Sequence, residues 1–195
     1  MNSRRAVSAN ESELRERFAA ILRASMPLMR VLSVACRPSL PDWLVFSGAV
    51  YQPVLNHLTG RPLDYGIKDY DLAYFDPADL SYVAEDAVIC RLTAAFNEPL
   101  RSMVEVRNQA RVHLWFEAKF GEAYSPLSYA AEALERFTSA TFAVGVDLNP
   151  ATGCTSKHLS VSPIYSLCDR GPILVERRFT SPGPPRMCDA GGPRS

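Results

Sequence analysis

Strand-like runs alternate with stretches of helical period along most of this chain, and that alternation limits the fold more than any other feature of the sequence. From Ser12 to about Ala35, apolar residues recur at helical spacing (Leu14, Phe18, Ile21, Leu22, Met26, Met29, Leu32), and Pro27 is placed to kink or split the helix. Pro38 and Pro41 end it, and WLVFSGAV at 43–50 reads as a short apolar strand running straight into Gly48. A second helix follows, with Pro53 near its start and Gly60 as its stop, then a strand over 69–75. Asp76 and Pro77 precede a third helical stretch (Leu80, Val83, Ala87, Ile89, Leu92, Phe96), and residues 102–121 begin as a strand of period two. A short helix at 126–137 and strands near 141–148 and 159–165 complete the order. The expected fold class is therefore α/β (α+β).

With 195 residues and 47% hydrophobic composition, the chain can bury one sizeable core. The expected organisation is a flexible terminus over 1–10, one domain over 11–178 and a disordered tail over 179–195, where Pro and Gly dominate and large apolar groups are nearly missing. Because 21 basic residues balance 21 acidic ones, no global positive field exists to hold a nucleic-acid backbone or an anionic membrane. No strong case for a nucleic-acid partner or a membrane arises. Arg4 and Arg5 are followed by polar SANESELRER rather than an apolar signal core, and no apolar run approaches the length of a membrane span. Cys36, Cys90, Cys154, Cys168 and Cys188 form an odd set without a C-x-x-C pair, which reads as ordinary thiols in a reducing compartment. Cytoplasmic location is the expectation.

The chemistry concentrates in the strands. In KDYDLAYFD, Asp69 and Asp71 are two apart and so share a strand face, where each raises the cost of ionising the other unless a cation or proton intervenes. On the third strand Glu105 shares its parity with Arg107, Gln109, Arg111 and His113, while Val104, Val106, Ala110, Val112 and Leu114 take the other face, with Asn108 the exception. If the two strands are neighbours, three carboxylates converge and make a cage suited to a hard divalent cation, Mg²⁺ first and Mn²⁺ second. A nucleoside triphosphate held by two such ions would complete the site. Ser47 and Gly48 add a strand-to-helix turn at which backbone amides can approach phosphate.

These residues carry a resemblance. SGAV at 47–50, KDYDLAYFD at 68–76 and VEV at 104–106 resemble the glycine, paired-aspartate and third-carboxylate pattern of the polymerase-beta-type nucleotidyltransferase superfamily. More closely, YFDPADLS and VRNQARVHLW, within residues 14 to 165, resemble a family of uncharacterised bacterial nucleotidyltransferase-like proteins. The resemblance implies a mixed sheet flanked by helices, metal-dependent transfer of a nucleoside monophosphate from an NTP to a hydroxyl acceptor, and Asp69, Asp71 and Glu105 as metal ligands. It does not name the acceptor, whether small molecule, protein or RNA. Ala49 stands where active superfamily members usually carry serine or a second glycine, and Tyr51 and Gln52 stand where the closer family tends to carry arginine and asparagine.

Other readings stay open at this level. The aspartates alone also fit a solvated strand face; Glu105 and Gly48 tip them toward a site. Arg107 and Arg111 suit either bidentate phosphate contacts or pairing with surface acids. Asp76 and Asp79 read as turn and cap residues, the scattered His57, His113 and His158 as structural, and Trp43, Trp115 and Phe116 as packing. The alternative to an enzyme is a nucleotide-binding or protein-interaction module of the same fold.

Overall fold

The first break in the chain falls at Ser25. In this computed structural model, which describes residues 3–37, 40–137, 139, 141–149, 154 and 159–163, helix α1 (Ser3–Ala24) and helix α2 (Met26–Ala35) meet at 92°. Pro27 lies in the first turn of α2, where an absent N–H breaks no helical hydrogen bond, so it starts a new helix instead of bending the old one. Helix α1 runs back through residues 3–10, which the apolar spacing does not reach. Among the described residues no single helix is long and apolar enough to cross a membrane.

Strand β1 (Trp43–Phe46) is buried along its whole length, and α3 (Gly48–Leu58) follows it. Strand β2 (Tyr70–Tyr74), α4 (Tyr82–Thr93), the short α5 (Leu100–Met103) and β3 (Val104–Asn108) come next. A 3₁₀ turn at Gln109–Arg111 leads into α6 (His113–Phe120); a second 3₁₀ stretch, Ala130–Arg136, precedes β4 (Val144–Leu148) and β5 (Leu159–Pro163). The described strands form one mixed sheet in the order β3-β2-β1-β4-β5, parallel between β2 and β3 and antiparallel elsewhere.

The two faces of this sheet differ. Trp43, Val45, Tyr70, Leu72, Tyr74, Val104 and Val106 point to one side and join the main core with Leu28, Val31 and Leu32 of α2 and Ile89 and Leu92 of α4. On the other side Leu44, Phe46 and Ala73 pack with Ala130 and Leu134 of the second 3₁₀ stretch. Gly145 belongs here by necessity, since a Cβ at that position would lie 2.2 Å from Leu44 Cδ1. The second cover is short, and it leaves the β2–β3 end of this face to polar residues.

Two expectations need correction. Period two does not continue past Asn108: the chain turns at Gln109–Arg111 and becomes helix, so Gln109, Arg111 and His113 do not share a strand face with Glu105. The cause is Asn108, the polar exception on the core side. Its Oδ1 accepts from the amides of Asp76 (3.1 Å) and Ala110 (3.1 Å), and its Nδ2 donates to Asp76 O (2.8 Å), so the side chain closes the strand end and caps the turn. The cysteines are not all ordinary thiols. Cys36, at the end of α2, and Cys154 are joined in a disulfide across 118 residues, and Cys90 is disulfide-bonded as well. The pairing of β4 with β1 accounts for the first link, which no sequence spacing announces, and cysteine usage therefore gives no support to a reducing compartment. Cys168, Cys188, His158 and the 179–195 stretch lie outside the described residues.

Candidate active site

The row of residues that crosses the second face at the ends of the strands is Phe46, Asp71 and Glu105. Phe46 pairs with Asp71 across the antiparallel β1–β2 ladder, and Asp71 pairs with Glu105 across the parallel β2–β3 ladder. Strand spacing of about 4.8 Å therefore sets the two acids side by side. Asp69 sits one residue ahead of β2 with the same parity. The loop before it is held by buried Asn56 at the end of α3, whose Nδ2 donates to Leu63 O (3.0 Å) and Tyr65 O (2.8 Å).

Asp71 carries the electrostatic strain of the site. Burial raises its pKa first, the charges of Asp69 and Glu105 raise it further, and Arg107 opposes them, leaving it pushed up to about 7. A carboxyl that titrates near neutrality, set against two others, is a group whose charge a cation would relieve. In kind, these hard oxygen donors fit a divalent metal of the Mg²⁺ class. Among the described residues, however, no three His, Cys, Asp or Glu side chains lie in an arrangement that holds a metal ion.

Asp71 has two flanks. On one, Ser47 links β1 to α3 with φ 61° and ψ −130°, and its amide donates to Val144 O at 3.1 Å. The left-handed strain thus falls on Ser47, whereas a Cβ on Gly48 would meet nothing closer than Tyr51 Oη at 3.9 Å. Helix geometry leaves the amides of Gly48 and Ala49 without carbonyl partners inside α3. Tyr51 packs against Phe142 with the rings tilted by 41° and their centroids 4.9 Å apart, and burial, then Asp69 and then Asp71 raise its pKa. Replacing Ser47 with Gly should stabilise the protein by about 1 kcal/mol, because glycine populates this backbone region without a Cβ clash. Urea unfolding of the two proteins checks this; equal midpoints would mean the turn is unstrained.

The other flank is a narrow cleft walled by Asp71, Glu105, Arg107, Phe46, Trp115, Tyr124 and Phe137 among others. Arg107 Nη2 lies 4.0 Å from Glu105 Oε2. Lys119 reaches the same field: burial and then Arg107 lower its pKa, while Glu105 acts the other way. Trp115, expected to pack in the core or at a sheet edge, lies half-buried on α6, where it packs with Phe116 and Phe120 and also lines the cleft. A signal for this was present in HLWFEAKF, where Phe116 and Phe120 (4.7 Å between ring centroids) and Trp115 and Lys119 (5.8 Å) are helical i, i+4 pairs, not strand neighbours.

Arg111 does not belong to this cleft. Its guanidinium is ion-paired with buried Glu85 on α4, its Nε donates to Leu80 O at 2.8 Å, and it lies over the Tyr82 ring. Glu85 Oε1 also accepts the Asn108 amide at 2.9 Å. Arg111 was expected on the face of Glu105 as a nucleotide contact; the 3₁₀ turn instead rotates it away from that parity and onto Glu85. Asp76 and Asp79 accept from the amides of Ala78 (3.0 Å) and Ser81 (2.8 Å), and Ser81 Oγ caps α4 through the Ala84 amide.

Residues 34–160 match the profile of a family described as nucleotidyltransferase. No curated protein matches the chain. A solved structure whose title says that it "reveals a CCA-adding enzyme head domain" is similar in fold, with TM-score 0.61 and 20% identity, over 78% of this chain and 72% of that one.

Proposed function

Because this chain belongs to the nucleotidyltransferase family, we propose that it moves a nucleoside monophosphate from an NTP to a hydroxyl-bearing acceptor, with Asp69, Asp71 and Glu105 holding Mg²⁺ or Mn²⁺. The observation that carries this reading is the in-register pair Asp71 and Glu105, with Asp69 close enough to raise the Asp71 pKa. When bound, the cation supplies charge neutralisation at the α-phosphoryl group and lowers the pKa of the attacking hydroxyl.

The chain's own residues do the rest. Ser47 and the open amides of α3 at Gly48 and Ala49 receive the phosphates, as a helix N-terminus favours anions. Arg107 sits on the opposite side of Asp71 and offsets the charge that builds on the reacting oxygens. The acceptor oxygen bonds to the α-phosphorus as the bond to the bridging oxygen breaks. Pyrophosphate leaves with the electron pair, and the hydroxyl proton passes to a carboxylate of the pair or to solvent.

A second reading, nucleotide binding without turnover, is favoured by Tyr51, a phenol that brings no positive charge to the phosphate side. One experiment separates the two. Mg²⁺ or Mn²⁺ should raise the melting temperature, and NTP should raise it further, since both bind the folded chain. Incubation with each labelled NTP, Mg²⁺ and cell extract should then yield labelled product and pyrophosphate. A thermal response without product supports the binding module, and no response to metal or nucleotide rejects both.

A further inference from the structure

Of the three acids, Asp71 and Glu105 are placed by the strand ladders, whereas Asp69 precedes them: the β2–β3 pairing starts at Tyr70 and Val104, and the β1–β2 pairing ends at Asp71. What places Asp69 is the segment between α3 and β2, and one residue ties that segment to α3. Asn56 is 1% exposed, although it carries an amide on a helix whose other buried residues are Ala49, Val50 and Pro53. Its Nδ2 donates to Leu63 O at 3.0 Å and to Tyr65 O at 2.8 Å, and its main-chain carbonyl accepts from the Arg61 amide at 2.9 Å. Its Oδ1 accepts from Gln52 Nε2 at 3.0 Å, one helical turn back, which fixes the side of the amide that faces the loop. From Tyr65 three residues lead to Asp69; of these Ile67 packs against the main core, and its amide donates to Asp64 O at 3.2 Å. Little freedom is left between the Asn56 clamp and the acid.

We propose that Asn56, oriented by Gln52, is a positioning residue for the metal site: it fixes the 61–68 segment on α3 and thereby sets where the Asp69 carboxylate stands relative to Asp71. The inference rests on the transfer reading above, in which Asp69 is a metal ligand, and adds to it two residues that act through that ligand. The electrostatics agree with the placement, since Asp69 acts both on the Tyr51 phenol of α3 and on Asp71. Around Asp71 and Glu105, the loss of one hydrogen bond would be absorbed by the rest of the ladder. At Asp69 the chain has left the ladder, so the clamp's loss reaches the carboxylate directly. Groups that orient a ligand without touching the metal typically cost about 10- to 100-fold in metal affinity when they are removed.

Mn²⁺ binding, followed by the electron paramagnetic resonance of the free ion, tests this without any turnover. Asn56→Ala should bind Mn²⁺ about tenfold more weakly than the natural protein, and Gln52→Ala more weakly by a smaller factor. Asp69→Asn lowers the affinity on its own, and in that background neither change should lower it further, because the group through which they act is gone. Where Asn56→Ala does not fold, the same cycle with Gln52→Ala, a half-buried position, decides. A loss that adds in full on top of Asp69→Asn would mean a general loosening of the fold and would overturn the proposal. So would natural affinity in folded Asn56→Ala, or in Gln52→Ala where that variant stands in for it. Failure of the transfer reading looks different: Mn²⁺ would then bind the natural protein and Asp71→Asn alike, or would bind neither, which overturns the proposal with it.

Discussion

Replacing Asp71 with Asn should leave the metal-free protein more stable at pH 8 than the natural one, by about 1 to 4 kcal/mol, and should remove most of the metal-dependent rise in melting temperature together with any transfer activity. The sign follows from the raised pKa. The unfolded chain releases the Asp71 proton near 3.8 and the folded chain near about 7. Between those values the native state binds more protons, so stability falls as pH rises through the window, and the full penalty applies above it. At 1.36 kcal/mol per pKa unit the upper bound is about 4 kcal/mol. Asparagine keeps the shape and loses the charge. In EDTA, urea unfolding from pH 4 to pH 8 should therefore show a downward slope in the natural protein that flattens in Asp71→Asn. Added Mg²⁺ should restore stability to the natural protein only, and more strongly at pH 8 than at pH 5, because the ligand must be ionised. A mutant much less stable without metal, or one with an unchanged metal response, would make Asp71 a structural acid and remove the basis of the enzyme reading.

The second large effect lies away from the cleft. Arg111→Met should destabilise the protein by about 3 to 5 kcal/mol, because it strands the buried Glu85 carboxylate that Arg111 and the Asn108 amide hold in common. Pairing it with Glu85→Leu should recover part of that loss, since no charge then remains to be solvated, although the Asn108 amide still loses its acceptor. Double-mutant analysis of urea midpoints measures the coupling. At temperatures where Arg111→Met stays folded, its affinity for Mg²⁺ and NTP should match the natural protein. A selective loss of nucleotide affinity with little loss of stability would return Arg111 to the binding site.

These two arginines show where parity holds and where it fails. Arg107 is inside β3, so its face follows from counting by two from Glu105, and it lines the cleft. Arg111 has the same parity but lies beyond Asn108, whose side chain ends the ladder by satisfying three groups of the Asp76 and Ala110 backbone. A lone polar residue among valines was visible at that position, but its partners were not, because Asp76 is 32 residues away.

Local sequence thus determined the elements and their faces: helical spacing for α1, α2 and α4, apolar WLVF for the central strand, and alternation around Asp71 and Glu105, all of which depend only on near neighbours. Tertiary structure decided what depends on distance. It set β2 beside β3 so that Asp71 meets Glu105, joined Cys36 to Cys154 at the main core, and placed a positive-φ backbone at Ser47. It also swung α6 over the open end of the second face, so that Trp115 and Tyr124 wall a cleft instead of filling a core. Those outcomes turn on which strands pair and which helix covers which face, and contacts far apart in the chain leave no period in the sequence to reveal them.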